Sequence, residues 1–351
     1  MISRFSLLFL ISTLCSFLTA VGQEGHPMTI AIEEGINFQV YTLYDKAGLI
    51  EEYQSHLNVP VCEDRVCYNV KATFYWNAIG EFEYYKISPK DTLTKLDHEP
   101  FTPEDHQKLQ NILSSQDLNF VNIPREELVD KSDSSEVDGY TGATKATVKK
   151  EVIEGALYTC YTLWHIANGA VIDSIKSNTL KYLDGPLIQK LIQQDNQTVH
   201  YFLINNLNTK QFKENMDSIL GLMTSSKGYF SKNAIEKIPQ ELFALNSVQE
   251  FILANYIDLD YYTQTAILKK LDKTRQSSDL KNFILNQINE KNTFQNQKLI
   301  ALVLHDINQQ NLQQLLDRLK ENKISVSEEN YQAIKSLSNN FALNSNGLDI
   351  I

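Results

Sequence analysis

Seven consecutive residues, 138–144, combine side chains and backbone that could hold a phosphate group: Asp138, Gly139, Tyr140, Thr141, Gly142, Ala143 and Thr144. We call them the attachment heptad. A helical pattern begins directly after Thr144, and the unpaired N–H groups and the dipole at a helix start favour an anion. Gly142 and Ala143 let the backbone approach a phosphate closely, and the Thr144 hydroxyl supplies an oxygen that can be esterified. The simpler interpretation is a capped helix, with Thr141 or Thr144 as the N-cap.

The attachment heptad resembles the Asp-Gly-x-Ser/Thr-Gly-Ala-Thr motif of the FMN-binding domains of the Rnf and sodium-pumping NADH:quinone reductase type, and every specified position matches. The resemblance implies that Thr144 carries FMN covalently through its phosphate. It also implies that a Mg²⁺-dependent flavin transferase recognises the motif and uses FAD as the donor. The implied cofactor-binding residues are Thr144 with Asp138, Gly139, Thr141, Gly142 and Ala143. The resemblance covers the motif and the following helix, extends loosely over about a hundred residues before it, and does not reach the C-terminal half.

The elements that would position the heptad include an antiparallel sheet. Alternating aromatic and apolar residues from Cys67 to Trp76 predict a half-buried strand. Residues 77–80 then predict a hairpin loop, and Phe82 and Tyr84 a second strand that ends near Ile87. Upstream, residues 30–32 and 38–41 predict short strands, and residues 49–53 a helical turn.

Two helices are predicted in the same part of the chain. Residues 102–105 combine a Thr cap, a proline and two acids, which is typical of a helix start. After Thr144, apolar residues at three- or four-residue spacing predict one long helix that ends at Asn168-Gly169: Val148, Val152, Ala156, Cys160, Leu163, Trp164 and Ala167. Cys160 on this stripe is expected to be buried and inert, with a reactive thiol as the alternative. Tyr158, Tyr161 and His165 form a second face, which could be core or could touch a flavin ring.

Beyond about residue 172 the strand patterns stop, and short amphipathic helical runs follow one another with brief polar breaks. Their spacing of roughly 30–40 residues predicts stacked helical hairpins as in HEAT-like solenoids, with an irregular bundle as the alternative. The predicted class is therefore α+β: a small FMN-binding-like domain of antiparallel sheet plus helix over residues 23–171, then an all-α domain over 172–351.

Residues 1–22 have a positive charge at Arg4, an apolar centre and the ending Ala20-Val21-Gly22, which predict a cleaved secretory signal peptide. An uncleaved membrane anchor is the alternative, and no stable membrane span is expected after cleavage. The protein is thus expected in the periplasm or outside the cell. There Cys62 and Cys67 are expected to form a disulfide, with a thiol–disulfide switch as the alternative. His98 and His106 match no standard metal spacing, so surface or capping roles are expected.

The net charge of −11 argues against nucleic acid or an anionic membrane surface as the main partner. The first functional hypothesis is an extracytoplasmic flavoprotein that carries FMN on Thr144. It would pass electrons between a membrane donor and an unknown acceptor, either as an electron carrier or as a reductase. The second hypothesis is a secreted, non-enzymatic helical-repeat protein that binds a partner, in which the heptad has only a structural role.

Overall fold

The computed structural model describes residues 25–33, 36–61, 69–129, 146–225, 229–272 and 274–351. The chain divides into two compact units, Met1–Tyr182 and Leu183–Ile351. The class is α+β, with an antiparallel sheet and helices in the first unit and helices in the second. The predicted boundary at residues 171 and 172 lies inside a helix of the first unit, so the division comes eleven residues later than expected.

The first unit contains a five-stranded antiparallel sheet in which each strand pairs with the next along the chain. The strands are β1 (Met28–Glu33), β2 (Ile36–Tyr44), β3 (Ile50–Val59), β4 (Val70–Trp76) and β5 (Phe82–Lys86). The predicted strands are confirmed within the described residues. The helical turn predicted at residues 49–53 is wrong, because Ile50 and Tyr53 belong to β3 and pair across the sheet.

One face of this sheet is fully buried. Phe74 and Trp76 of β4 are inaccessible to solvent, and the ring centroids of Phe74 and Phe82 lie 5.1 Å apart in an edge-to-face contact. The hairpin between β4 and β5 is closed by Asn77, whose side-chain oxygen accepts from the backbone N–H groups of Ile79 and Glu81. The alternation read from the sequence therefore identifies the core face correctly.

Four α-helices complete the first unit: α1 (Pro103–Ser114), α2 (Ala146–Lys149), α3 (Leu157–Asn168) and α4 (Ala170–Lys181). Helix α1 begins as predicted, and Thr102 and Asp105 form a reciprocal capping box. The long helix predicted from Thr144 to Asn168 is wrong in one respect, because residues 150–156 separate α2 from α3. Gly155 has φ +74° within this break, a conformation that glycine adopts readily.

Helix α4 belongs to the first unit because its side chains bond to the sheet. The Tyr53 hydroxyl of β3 lies 2.8 Å from Thr179 Oγ1, which donates to the carbonyl oxygen of Ala78 at 2.6 Å. Asn178 Nδ2 donates to the same Tyr53 oxygen at 3.1 Å. Buried polar groups of this kind need hydrogen-bond partners. Separating α4 from the sheet would therefore remove these hydrogen bonds and lower the stability of the first unit. This network explains why the boundary lies after Tyr182.

The described residues of the second unit form the following helices: α5 (Gly185–Ile192), α6 (Gln197–Asn206), α7 (Thr209–Glu214), α8 (Met216–Ser225), α9 (Phe230–Lys237), α10 (Asn246–Asn255), α11 (Tyr261–Leu271), α12 (Ser278–Gln287), α13 (Asn296–Leu304), α14 (Gln309–Glu321) and α15 (Glu328–Asn340). In one row α5 packs on α8, α8 on α10 and α10 on α12. In a second row α6, α9, α11, α13 and α15 pack in succession. The starts of α8, α10, α12 and α14 are 30 to 32 residues apart, so the helices repeat in pairs.

Side-chain amides satisfy the loop backbone between these pairs. Gln249 of α10 donates to the carbonyl oxygens of Phe243 and Arg275, and its Oε1 accepts from Ser277 N. Gln297 of α13 repeats the arrangement with Ser325 O and Ser327 N. Each glutamine thus bonds to the N-cap residue of the second helix after its own, Ser277 of α12 or Ser327 of α15, and to the residue two positions before that cap. The asparagine and glutamine content of this half is in part a structural requirement.

Within the part of the chain that the structure describes, no helix combines the length and the apolar character that crossing a bilayer requires.

We expect Thr179→Val to lower the free energy of unfolding of the first unit by about 1–3 kcal/mol, because it leaves the buried Ala78 carbonyl without its donor. Ser177→Ala on the exposed side of α4 is the control and should change it by less than about 0.5 kcal/mol. Urea unfolding measures both. Equal stability of the two variants would show that the network does not hold α4 to the sheet.

We expect Gln249→Leu to destabilise the second unit by about 1–3 kcal/mol, since it removes the three hydrogen bonds of one buried side chain. Gln332→Ala removes an exposed glutamine of α15 that bonds only to Glu328, and it should have little effect. Thermal unfolding followed by circular dichroism compares them. A Gln249→Leu protein as stable as Gln332→Ala would contradict the proposed role of the amide.

Candidate functional site

The chain that follows the attachment heptad is held firmly in the first unit. Val148 of α2 is fully buried, and α2 packs against the 3₁₀ turn Asn119–Asn122. Glu151 then accepts from the backbone N–H of Asn119 at 2.7 Å and from its side-chain amide. Lys108 Nζ donates to the carbonyl oxygen of Val152 at 2.6 Å. The C-terminal flank of the heptad is therefore tied to α1 and to the 3₁₀ turn.

The shortness of α2 changes the electrostatics expected for a phosphate on Thr144. The described helix has only four residues, and α3 begins at Leu157, thirteen residues after Thr144. A macrodipole is the sum of aligned peptide dipoles, so a single turn contributes little of it. The helix expected to run on from the heptad is thus interrupted after Lys149, while the charge environment of a phosphate on Thr144 stays a prediction.

Two lysines can supply the positive charge instead. Lys149 and Lys150 are exposed and follow Thr144 by five and six residues. Lysine is a point charge on a flexible stem and suits phosphate. The sequence analysis did not identify this pair of lysines, although it follows the heptad closely in the chain.

Arg125 precedes the heptad along the chain and lies in the 3₁₀ turn Arg125–Glu127. Its Nη1 donates to Thr162 Oγ1 at 2.8 Å, and its Nη2 donates to the Val61 carbonyl at 3.1 Å. The guanidinium carbon lies 5.4 Å from the ring centroid of Tyr158 and 6.0 Å from that of Tyr161. This is the range of cation–π interactions. A single arginine forms no periodic pattern, so the sequence alone does not predict that Arg125 contacts α3.

The second face of α3 is packed by protein groups. Tyr158 and Tyr161 are buried under Arg125, and the His165 ring lies 4.3 Å from the Tyr161 ring. Trp164 meets His165 edge-to-face at 5.0 Å. These contacts confirm the core interpretation of the face.

Cys160 lies in the centre of this packing and is fully buried. Its Sγ accepts from the backbone N–H of Ile153 at 3.4 Å. Burial raises the pKa of the Cys160 thiol to about 12. Because the thiolate is the reactive form, the structure confirms the inert thiol.

His106, the second histidine considered at the sequence level, has a structural role. Its Nδ1 lies 2.8 Å from the Tyr85 hydroxyl, and its ring meets Phe101 edge-to-face at 5.6 Å. Both contacts join the start of α1 to neighbouring elements. His106 therefore helps to seat α1.

The remaining predicted site residues lie outside the described residues. They are Asp138, Gly139, Thr141, Gly142, Ala143 and Thr144 of the heptad, the cysteines Cys62 and Cys67, and the signal segment 1–22. The disulfide, the signal peptide and the phosphate site therefore stay predictions. Comparison with known proteins found no match to a family model, a curated protein or a solved structure.

We expect Cys160 in the native protein to resist iodoacetamide at pH 8, whereas the urea-unfolded protein reacts fully. The folded pKa lies above the ordinary value, so the neutral thiol stabilises the fold below about pH 9. That contribution is lost as the pH rises toward 12. Peptide mass spectrometry after labelling measures the reaction at Cys160 alone. Rapid labelling in the native state would contradict the buried, neutral thiol.

Proposed function

We propose that this protein is an extracytoplasmic flavoprotein that carries FMN on Thr144 and passes electrons between a membrane donor and an acceptor that is still unknown. The observation that carries the proposal is the attachment heptad, which matches the flavin-attachment motif at every specified position. The anchored segment after it supports the proposal, because Val148 is buried directly downstream of the heptad, and the lysines at positions 149 and 150 add positive charge to the following sequence, which would favour a phosphate.

The covalent step would occur in a Mg²⁺-dependent flavin transferase with FAD as the donor. Thr144 Oγ displaces AMP at the phosphorus of the FMN half, so one phosphoester bond forms and the pyrophosphate bond breaks. The hydroxyl proton leaves with AMP. Bound FMN supplies the redox chemistry, while the chain supplies attachment, position and electrostatics. A covalent bond also keeps the cofactor on a protein outside the cell.

In this proposal the second unit is a HEAT-like docking region. The support is its two rows of helices, which repeat every 30 to 32 residues, as stacked helical pairs do. Stacked pairs of this kind contact mainly their neighbours, so such an array presents an extended surface. That surface is suited to a protein partner such as the electron acceptor.

A second candidate function is binding of a protein partner without any flavin chemistry. The observation that favours it is an exposed aromatic stripe made of Tyr229, Tyr261, Tyr262 and Phe294. Ring centroids of neighbouring members lie 5.7–6.4 Å apart, and Phe294 is 87% exposed. Tyr229, Tyr262 and Phe294 recur at 33 and 32 residues, in step with the helix pairs. Exposed aromatic clusters are typical of protein interfaces.

We expect the full chain, co-expressed in an exporting host with a flavin transferase, to gain the mass of one FMN less one water after acid denaturation. Thr144→Val should abolish the added mass, because it removes the hydroxyl that the motif assigns to the bond. Thr141→Val should retain it. Intact-protein mass spectrometry and the visible flavin spectrum measure both.

The matched control is the same co-expression without the transferase, which should leave the mass unchanged. If the wild-type protein shows no added mass while a known flavinylated substrate is modified in the same cells, the flavoprotein proposal is wrong. The binding function of the second unit would then be favoured.

A further inference from the structure

A polar groove runs between α12 and α14 of the second unit and holds about 940 Å³. This volume lies near the upper end of the range for ligand sites, roughly 300–1,000 Å³. Its walls are two stripes of side chains at helical spacing. Asn282 and Asn286 line the α12 wall, while Asn311, Gln314 and Arg318 line the α14 wall. We call it the amide groove.

Two side-chain hydrogen bonds cross the amide groove from α14 to α12. Asn311 Nδ2 donates to Asn282 Oδ1 at 3.3 Å, and Arg318 Nη2 donates to Asn286 Oδ1 at 2.9 Å. The four-residue spacing of Asn282 and Asn286 separates these two hydrogen bonds by about 6 Å along α12. The hydrogen bonds hold both α12 amides with Oδ1 directed toward α14. The described residues accept no hydrogen bond from Nδ2 of Asn282 or of Asn286, so both donors are available to a ligand.

The spacing of these amides matches an extended polypeptide. A strand repeats every two residues, a distance of about 6.6–6.8 Å, and presents an unpaired N–H or C=O on each side. A carboxamide both donates and accepts, so one amide per helical turn can meet every second peptide unit. The side chain of Gln314 adds a further amide on the facing wall. We infer that the amide groove binds an extended segment of a partner polypeptide through its backbone.

Other ligand classes fit the amide groove less well. Its lining residues include no aromatic side chain, so nucleic-acid bases find no stacking surface there. Three lining carboxylates stand against two lining cations, which disfavours a phosphate backbone: Asp306, Asp317 and Glu321 against Lys281 and Arg318. A polypeptide needs neither feature.

The charges of the amide groove select the kind of segment. Lys281 is already bonded to Asp306, with Nζ 3.0 Å from Oδ2, and Arg318 is bonded to Asn286. Asp317 and Glu321 lie one turn apart on α14, and Glu321 is exposed. Asp317 Oδ1 already accepts from Gln313 Nε2 at 2.7 Å, so a lysine or arginine of the partner segment would meet Glu321. The ligand is therefore a basic extended peptide, and the inference is independent of flavin attachment because every groove residue lies in the second unit.

The test pans a phage library of linear twelve-residue peptides on the purified full chain. Fluorescein-labelled copies of the enriched peptides are then titrated by fluorescence anisotropy. We expect the enriched peptides to contain Lys or Arg. The double variant Asn282→Ala with Asn286→Ala should weaken their binding on the order of tenfold or more. Glu321→Gln should also weaken it, and the loss should shrink at high salt.

Asn205→Ala with Asn206→Ala is the matched control, since it removes two adjacent exposed amides from α6, and it should leave the affinity unchanged. Thermal unfolding of each variant separates lost binding from lost folding. The inference is overturned if no peptide is enriched above empty wells, or if a correctly folded Asn282→Ala, Asn286→Ala variant binds the peptides as well as wild type. The inference is also overturned if the chain binds glycans on an array and these glycans displace the peptides from the groove.

Discussion

The first unit depends on the nearly complete burial of α3. Ten of its twelve residues are buried, so this helix has no solvent face of the usual kind. Side-chain donors tie it to its neighbours: Trp76 Nε1 of the sheet donates to the Ala167 carbonyl, and Trp164 Nε1 donates to the Ser115 carbonyl at the end of α1. The sheet, α1 and the 3₁₀ turn Asn119–Asn122 all pack on α3. The burial of α3 therefore determines where the described chain segments before and after the heptad lie. The same burial makes Cys160 inert and leaves the aromatic face closed.

The second unit is held together in a different way. Its helices are short, and their ends leave many backbone groups that need partners. Long amide side chains meet this need at equivalent places, as Gln249 and Gln297 show. Gln264 and Gln295 continue the pattern between α11 and the loop before α13. Where the amides face outward instead, as on α12 and α14, the same residue type lines an open groove. The composition of this half thus reflects two uses of one functional group, one inside the fold and one at its surface.

The sequence predicts the elements whose signals are local. The alternation around Phe74 and the Thr102 cap each depend on a few neighbouring residues, and both are confirmed. Residues 49–53 were misassigned because five residues cannot distinguish a helical turn from the start of a strand. The helix from Thr144 is predicted too long because an apolar spacing of three or four persists across the non-helical residues 150–156, which include Gly155 with its positive φ. The unit boundary was placed too early because the hydroxyl of Thr179 contacts residues more than a hundred positions away. Arg125 was missed for the same reason, since its bonds to Val61 and Thr162 exist only in the folded chain.

These findings narrow the chemistry that the attachment heptad can perform. The described part of α2 is a single turn and contributes little dipole, so in the proposed flavoprotein a phosphate on Thr144 would draw on nearby lysine charge. Flexible ammonium groups at the surface are screened by salt, and they do not fix the orientation of a ligand. A flavin held in this way would owe its retention to the covalent bond. Tyr158, Tyr161 and Trp164 are buried, so the proposal places the ring toward solvent or toward a partner and not on α3. That arrangement suits a cofactor that exchanges electrons with other proteins better than one that encloses a small substrate.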